Sequence, residues 1–147
     1  MSPSSTFTAP IVTDIHMFSR VLPYLLVGLG GLVGSICRYG TTLLLARTSL
    51  TMPYGTLTSN IAGCLIIGMV SEIGAAGELL SPATRLLLAT GFCGGFTTLS
   101  SLIYELAQMI KDGEWFYAIL YLNGTLVGAA LAFIAGVACV RAVLRIV

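Results

Sequence analysis

The sequence predicts an all-α integral membrane protein with four transmembrane helices. Of its 147 residues, 56% are hydrophobic and 9% are charged, whereas soluble domains carry about 25% charged residues. Mean hydropathy is +0.97. The chain contains uncharged runs that are long enough, or nearly so, for the roughly 20 residues that cross a bilayer. These runs are 21–37, 48–71, 86–104 and 115–140. Four spans place both termini on the same side of the membrane.

Residues 1–19 are predicted to form a polar N-terminal tail, and residues 20–147 a four-helix transmembrane domain. The tail holds serine, threonine and proline, and it has no basic segment ahead of an apolar core as a signal peptide does. Four helices of this size pack into a solid bundle with little room inside, so we expect the chain to oligomerise. The net charge of +1 offers no basic patch, so we do not expect a nucleic-acid partner.

The first span, 21–45, combines glycines with one arginine. Gly30 and Gly34 have the G-x-x-x-G spacing that permits close approach by another helix. Arg38 lies near the end of the span, where its guanidinium can reach the membrane interface. Alternatively, it faces a protein-lined vestibule, where a fixed positive charge would concentrate small anions.

The second span places polar side chains along one face. Thr56, Asn60 and Gly63 follow i, i+4, i+7 spacing and therefore share one stripe of a helix. A buried asparagine needs hydrogen-bond partners in a bilayer. Its amide can donate to a dehydrated anion or to a neighbouring helix, and these two roles are compatible.

The third span contains the most unusual stretch, 91–101, with sequence Gly-Phe-Cys-Gly-Gly-Phe-Thr-Thr-Leu-Ser-Ser. Glycine lowers helix propensity, and hydroxyls can bond to freed backbone groups, so we expect this helix to be broken near its middle. Non-helical backbone at membrane depth is tolerated only inside protein or beside a wet cavity. The stretch therefore indicates an ion or substrate site, or else a close packing surface of small residues.

Polar groups continue beyond this stretch. Glu105 lies four residues after Ser101 and seven after Thr98, so it shares a face with part of the motif. It either accepts from nearby hydroxyls or marks the point where the helix nears water. In the fourth span, Tyr121 and Thr125 share one stripe.

The basic residues give little information about orientation. On the side of the termini and the second loop lie Arg20, Arg85, Arg141 and Arg145, and on the other side lie Arg47 and Lys111, with Arg38 nearby. This bias is weak for the positive-inside rule and is compatible with insertion in both orientations. Two oppositely inserted copies would form an antiparallel dimer.

Three motifs follow one another along the chain. They are Gly30-Gly31-x-x-Gly34-x-x-x-Arg38-Tyr39, Gly55-Thr56-Leu57-x-x-Asn60-x-x-Gly63, and Gly91-Phe92-x-Gly94-Gly95-Phe96-Thr97-Thr98-x-Ser100 with Glu105. In combination they resemble the Fluc (CrcB) family of fluoride channels over residues 23–141. The resemblance implies passive export of cytoplasmic fluoride across the bacterial inner membrane. It also implies a dual-topology antiparallel homodimer with two pores and a central structural Na⁺.

The resemblance also implies roles for individual residues. The Na⁺ ligands would be backbone carbonyls matching Gly94 and Thr97 from both subunits. The family's pore and vestibule positions match Asn60, Arg38, Tyr121 and Thr125, the last with threonine in place of serine. Further candidates for polar contacts along the fluoride path are Thr98, Ser100 and Glu105.

The sequence departs from the family at Leu99 and Leu102, where these channels usually carry phenylalanines whose ring edges are thought to face fluoride. Three explanations are open. The polar groups conduct alone, the pore is slow or inactive, or the chain is one half of a heterodimer whose partner supplies the phenylalanines.

Other classes of protein fit less well. A small multidrug transporter needs an ionisable carboxylate in its first span, and this span has Arg38 and no acid. A non-conducting assembly subunit remains an alternative because of the two leucines. No nucleophile–base pair or metal cluster is visible in the sequence, so we do not expect an enzyme.

Overall fold

The computed structural model describes residues 9–48, 51–77 and 79–146, and this part of the chain is helical without β-strands. Its elements are α1 (Ala9–Leu45), α2 (Tyr54–Ala75), α3 (Pro82–Arg85), a π-helix (Leu86–Cys93), α4 (Gly94–Phe96), α5 (Leu99–Lys111) and α6 (Trp115–Leu144). Four segments of the described chain are long and apolar enough to cross a membrane: Arg20–Leu45, Tyr54–Ala75, Pro82–Lys111 and Trp115–Leu144. The predicted all-α membrane protein with four spans is confirmed.

The ends of two elements differ from the sequence pattern. α1 begins at Ala9, within the segment assigned to the tail, whose residues 1–8 lie outside the described chain. The boundary of the tail stays a prediction. α2 begins after Pro53 and continues past the uncharged run to Ala75. Glu72 in its last turn is paired, and its Oε1 accepts from Arg141 Nε of α6 at 2.8 Å.

Close contacts between glycines and backbone hold α1 against the third span. A side chain at Gly30 would overlap the Leu87 carbonyl, and one at Gly34 would overlap the Phe92 carbonyl. Glycine at these positions allows the two backbones to approach more closely than other residues permit. This packing joins the π-helix and α4 to α1 and so positions the glycine-rich part of the third span.

α2 and α6 pack side by side and run in the same direction. Near one end, a Cβ at Gly128 would lie 2.8 Å from Ile61 Cδ1. Further along, a Cβ at Gly68 would overlap the Phe133 carbonyl, and Glu72 pairs with Arg141 beyond that. Later residues of α2 contact later residues of α6. Each position along α2 therefore lies beside a definite position along α6.

The helical backbone is interrupted at two residues of the third span. α4 ends at Phe96, and Thr97 follows with φ −87° and ψ 155°. Thr98 has φ −154° and ψ 120°, and α5 begins at Leu99. Both threonines are therefore in extended conformation, inside the stretch 91–101.

α5 and α6 fold back on each other after a tight turn. Gly113 in this turn has φ 79°, a left-handed conformation that glycine adopts without steric cost. A buried apolar cluster forms between the two helices, consisting of Leu102, Leu106, Met109, Ala118 and Tyr121. This antiparallel pair brings the polar side chains of α5 next to those of α6.

Candidate functional site

Asn60 of α2 bonds to both backbone groups of Thr98 at the interruption. Its Oδ1 accepts from the Thr98 amide at 2.7 Å, and its Nδ2 donates to the Thr98 carbonyl at 3.1 Å. Asn60 is only 7% exposed, so these bonds are shielded from solvent. The side chain thus supplies the hydrogen bonds that non-helical backbone requires inside a membrane protein.

The same interruption removes the helical donors of two carbonyls. In a continuous α-helix, the Thr98 amide would donate to the Gly94 carbonyl and the Ser101 amide to the Thr97 carbonyl. Here the Thr98 amide donates to Asn60, and the Ser101 amide donates to Thr98 Oγ1 at 3.1 Å. The carbonyls of Gly94 and Thr97 are left for other partners, and oxygen ligands of this kind suit a hard cation.

Arg38 of α1 lies beside the end of α4. Its Nε donates to the Gly95 carbonyl at 3.2 Å, and Ser35 Oγ donates to the same oxygen at 3.5 Å. A cation at a helix C-terminus is favourable because the last carbonyls carry partial negative charge. Arg38 is therefore placed next to the interruption by a backbone contact.

Glu105 of α5 joins α2 to α6. Its Oε1 accepts from Thr56 Oγ1 at 2.7 Å, and its Oε2 accepts from the Tyr121 hydroxyl at 2.6 Å. Thr56 is 4% exposed and Tyr121 is completely buried. Hydrogen bonds to a carboxylate are stronger than neutral ones. These three side chains, called the Glu105 cluster below, form a polar contact within an apolar bundle.

The remaining predicted hydroxyls have partners of their own. Buried Thr125 donates to the Tyr121 carbonyl at 2.8 Å. Thr98 Oγ1 donates to Ser101 Oγ at 3.2 Å and lies 3.1 Å from Ser100 Oγ. The structure thus groups Thr98 and Ser100 with Asn60 at the interruption, whereas the Thr125 hydroxyl bonds within its own helix, one turn after Tyr121.

The two leucines occupy different environments. Leu99 is 68% exposed in the single chain, whereas Leu102 is 2% exposed and packs in the cluster that includes Tyr121. Phe92 and Phe96 stack on each other elsewhere, with ring centroids 5.5 Å apart. Leu102 therefore contributes to the core, and Leu99 is available to a neighbouring molecule or to lipid.

An open pocket of about 370 Å³ adjoins the Glu105 cluster. Its lining comes from the ends of α1, α2 and α5 and from the turns beside them, and it includes Thr42, Tyr54, Gln108, Asp112 and Glu114. Thr56 and Glu105 also line it. The pocket consequently gives solvent and small ions a route to the cluster.

Two further residues of α2, which the sequence analysis did not name as site residues, lie close to Asn60 in the chain. Thr56 lies four residues before Asn60 on the same face, which was the available sequence signal for its role. Ser59 is completely buried, and its Oγ has no hydrogen-bond partner. Sequence alone gives no signal for Ser59, because an unpartnered hydroxyl is visible only in three dimensions.

Comparison with known proteins finds a family whose match covers all of these residues. The family model described as CrcB-like protein, Camphor Resistance (CrcB), matches residues 25–137. A protein named fluoride-specific ion channel FluC from Chlorobium phaeobacteroides (strain BS1) is 48% identical over 120 residues, covering 82% of this chain and 94% of the relative.

Two further relatives carry the same name. The one from Prosthecochloris aestuarii is 47% identical over 125 residues, covering 85% of this chain and 98% of its own length. The one from Sorangium cellulosum is 41% identical over 116 residues, covering 78% and 91% respectively. The similarity thus extends across nearly the whole length of these relatives.

Proposed function

Because this chain belongs to the CrcB family, we propose that it exports fluoride passively and that Asn60, Thr98 and the Glu105 cluster line the path. It is a fluoride channel and not an enzyme, and it is a multi-pass bacterial membrane protein. The main support for this path is the pair of hydrogen bonds between Asn60 and Thr98, which stabilises non-helical, polar backbone within an apolar span.

A fluoride path must replace a tightly held hydration shell without trapping the ion. Several weak donors in succession meet this requirement better than one strong site. Asn60 Nδ2 carries two protons, and one of them is given to the Thr98 carbonyl. The second proton is the first donor of this set, and the hydroxyls of Thr98 and Ser100 join it when they exchange their bonds to Ser101 and to each other for the ion. Arg38 lies nearby to attract anions.

The Glu105 cluster forms the second set of donors. Both the Thr56 and Tyr121 hydroxyls donate to the carboxylate, whose charge repels an anion. Fluoride therefore reaches these donors only when Glu105 releases them. The adjoining pocket provides space for the carboxylate to move into, so that fluoride takes its place as the acceptor.

We further propose an antiparallel dual-topology homodimer with two pores. Three features support this assembly: the weak asymmetry of basic residues, the small size of the bundle, and the exposure of Gly94 and Leu99 at the interruption. A heterodimer is the alternative, favoured by Leu99, because an exposed leucine at this position could face phenylalanines of a different subunit.

The carbonyls of Gly94 and Thr97 fit the proposed structural Na⁺. Both lack the amide donor that a continuous helix would provide, since side chains divert those amides. Two oxygens from one chain are too few for a hard cation, so a second copy would supply two more. When bound, Na⁺ would hold the two copies together at the interruption.

Fluoride efflux from liposomes tests the proposed function. Purified protein is reconstituted with potassium fluoride inside, and external fluoride is followed with an electrode. Passive conduction predicts efflux that begins when valinomycin lets K⁺ leave with the anion, and no comparable efflux of chloride. Efflux independent of valinomycin, or absent altogether, would contradict a fluoride channel, and proton-coupled uptake of a cationic drug would support a multidrug transporter.

A further inference from the structure

Ser59 carries a hydroxyl that the fold leaves without a partner. The residue is 0% exposed, and no hydrogen bond to its Oγ is present in the structure. Buried polar groups are nearly always bonded, because an unpaired group loses its bonds to water without compensation. An unpaired hydroxyl in the interior therefore indicates that a ligand or a water molecule forms its missing hydrogen bond.

The usual way to satisfy a hydroxyl within a helix is not used at Ser59. Threonines elsewhere donate to the carbonyl four residues earlier, a common local bond. They are Thr41, Thr42, Thr97 and Thr125. Ser59 lies in the second turn of α2, where such a bond to the Gly55 carbonyl would be available to it, yet its hydroxyl makes none.

Contacts between helices locate this hydroxyl. Gly55 and Gly63 lie one turn before and one turn after Ser59 on the same face of α2, and Cβ atoms there would overlap Thr42 of α1 and Thr97 of the third span. Ile61, which approaches α6 at Gly128, lies on the opposite side of α2, so Ser59 faces α1 and the third span. Thr56 and Ser59 also share a helix face at i, i+3 spacing.

The other buried hydroxyls of the described residues already donate their protons. Those of Thr56 and Tyr121 go to Glu105, and that of Thr125 goes to a main-chain carbonyl. Among these buried hydroxyls, only that of Ser59 can donate to a new acceptor without first losing a bond. A small dehydrated anion gains most from such a donor, because bonds to charged groups are stronger than neutral ones.

We propose that Ser59 Oγ donates directly to fluoride as the ion passes along the face of α2 that meets α1 and the third span, one turn from Thr56 of the Glu105 cluster. This inference rests on the proposed function and adds Ser59 to the donors that α2 already supplies through Asn60 and Thr56. Fluoride would occupy the interior next to Ser59 while Glu105 still holds the Thr56 and Tyr121 hydroxyls.

The test compares Ser59→Ala and Ser59→Cys with the wild-type protein in the liposome efflux assay. Loss of a hydrogen bond to an ion predicts a flux about tenfold lower for Ser59→Ala, with a higher half-saturating fluoride concentration. Cysteine has similar size and is a weak donor, so Ser59→Cys should have intermediate flux. Thr41→Val is the control, because the Thr41 hydroxyl donates within its own helix, and its flux should match wild type.

Thermal unfolding in detergent separates conduction from folding. Alanine removes an unpaired polar group, so Ser59→Ala should unfold at or above the wild-type temperature. Wild-type flux and half-saturation in Ser59→Ala would overturn the inference. If that variant does not fold, wild-type flux in Ser59→Cys would overturn it instead. Absence of fluoride flux in the wild-type protein would refute the proposed function, which is a distinct result.

Discussion

Asn60 and Thr98 are joined by two hydrogen bonds, with the Thr98 amide donating to Oδ1 at 2.7 Å and Nδ2 donating to the Thr98 carbonyl at 3.1 Å. A side chain of one span thus substitutes for the helical bonds of another. Because the amide of Thr98 is used in this way, the pair also determines which carbonyl of α4 loses its donor. One asparagine therefore connects the proposed anion path to the proposed cation site.

Replacing Asn60 by aspartate should abolish fluoride flux while the assembled protein survives. Asn60→Asp keeps the acceptor for the Thr98 amide but removes the Nδ2 donor and introduces a negative charge that repels fluoride. Losing the bond to the buried carbonyl should also reduce stability by about 1 to 3 kcal/mol. Flux is measured in liposomes and assembly by size-exclusion chromatography.

Asn123→Ala provides the comparison for that variant. Asn123 is exposed on α6 and donates to the Ile119 carbonyl of its own helix at 2.8 Å, so removing its amide should leave flux unchanged. Normal flux in Asn60→Asp would exclude Asn60 from the fluoride path.

Removing the Tyr121 hydroxyl should lower fluoride flux by about tenfold or more, because a donor to the ion is lost. Tyr121→Phe retains the buried ring and removes only the group that bonds to Glu105. Tyr24→Phe is the matched control, since Tyr24 is 79% exposed. Equal flux in the two variants would place Tyr121 outside the path.

Glu105→Gln and Tyr121→Phe should be coupled in stability. The two side chains share a bond of 2.6 Å, and residues in direct contact show interaction energies of about 0.5 to 3 kcal/mol in double-mutant cycles. Chemical or thermal unfolding of the two single variants and the double variant measures this interaction energy. Additive effects would mean that the bond contributes nothing to folding.

Gly34→Ala should destabilise the protein, whereas Gly28→Ala on the same helix should not. A Cβ at Gly34 would overlap the Phe92 carbonyl, while one at Gly28 would meet nothing within 4 Å. Overpacking of this kind costs about 1 to 3 kcal/mol, and alanine at an open helical site is slightly favourable. Unfolding temperatures in detergent should therefore fall only for Gly34→Ala.

The two leucines should respond differently to phenylalanine. Leu102 is 2% exposed, so Leu102→Phe enlarges a filled core and should reduce stability by about 1 to 3 kcal/mol. Leu99 is 68% exposed, so Leu99→Phe should fold normally. If ring edges at this position assist fluoride, Leu99→Phe will raise the flux of the chain expressed alone. Equal unfolding temperatures for both variants would contradict the burial assigned to Leu102.

The four spans could be predicted because bilayer thickness dictates the length of uncharged runs. Helical periodicity also predicted that Thr56 and Asn60 share one face. Periodicity does not specify what that face meets. The partner of Asn60 is the backbone of Thr98, and a main-chain partner has no residue signature. The meeting of Thr56 and Tyr121 at Glu105 depends on the relative levels of three helices, which a single sequence does not contain.

The Asn60–Thr98 pair also has a consequence for biosynthesis. The two residues are 38 positions apart, and Asn60 is translated first. When the third span enters the lipid, the side chain that completes its two unsatisfied backbone groups is already in the membrane. Orderly insertion therefore requires the second span to remain close to the translocon until the third arrives, and releasing the second span early should lead to a nascent chain that is degraded rather than assembled.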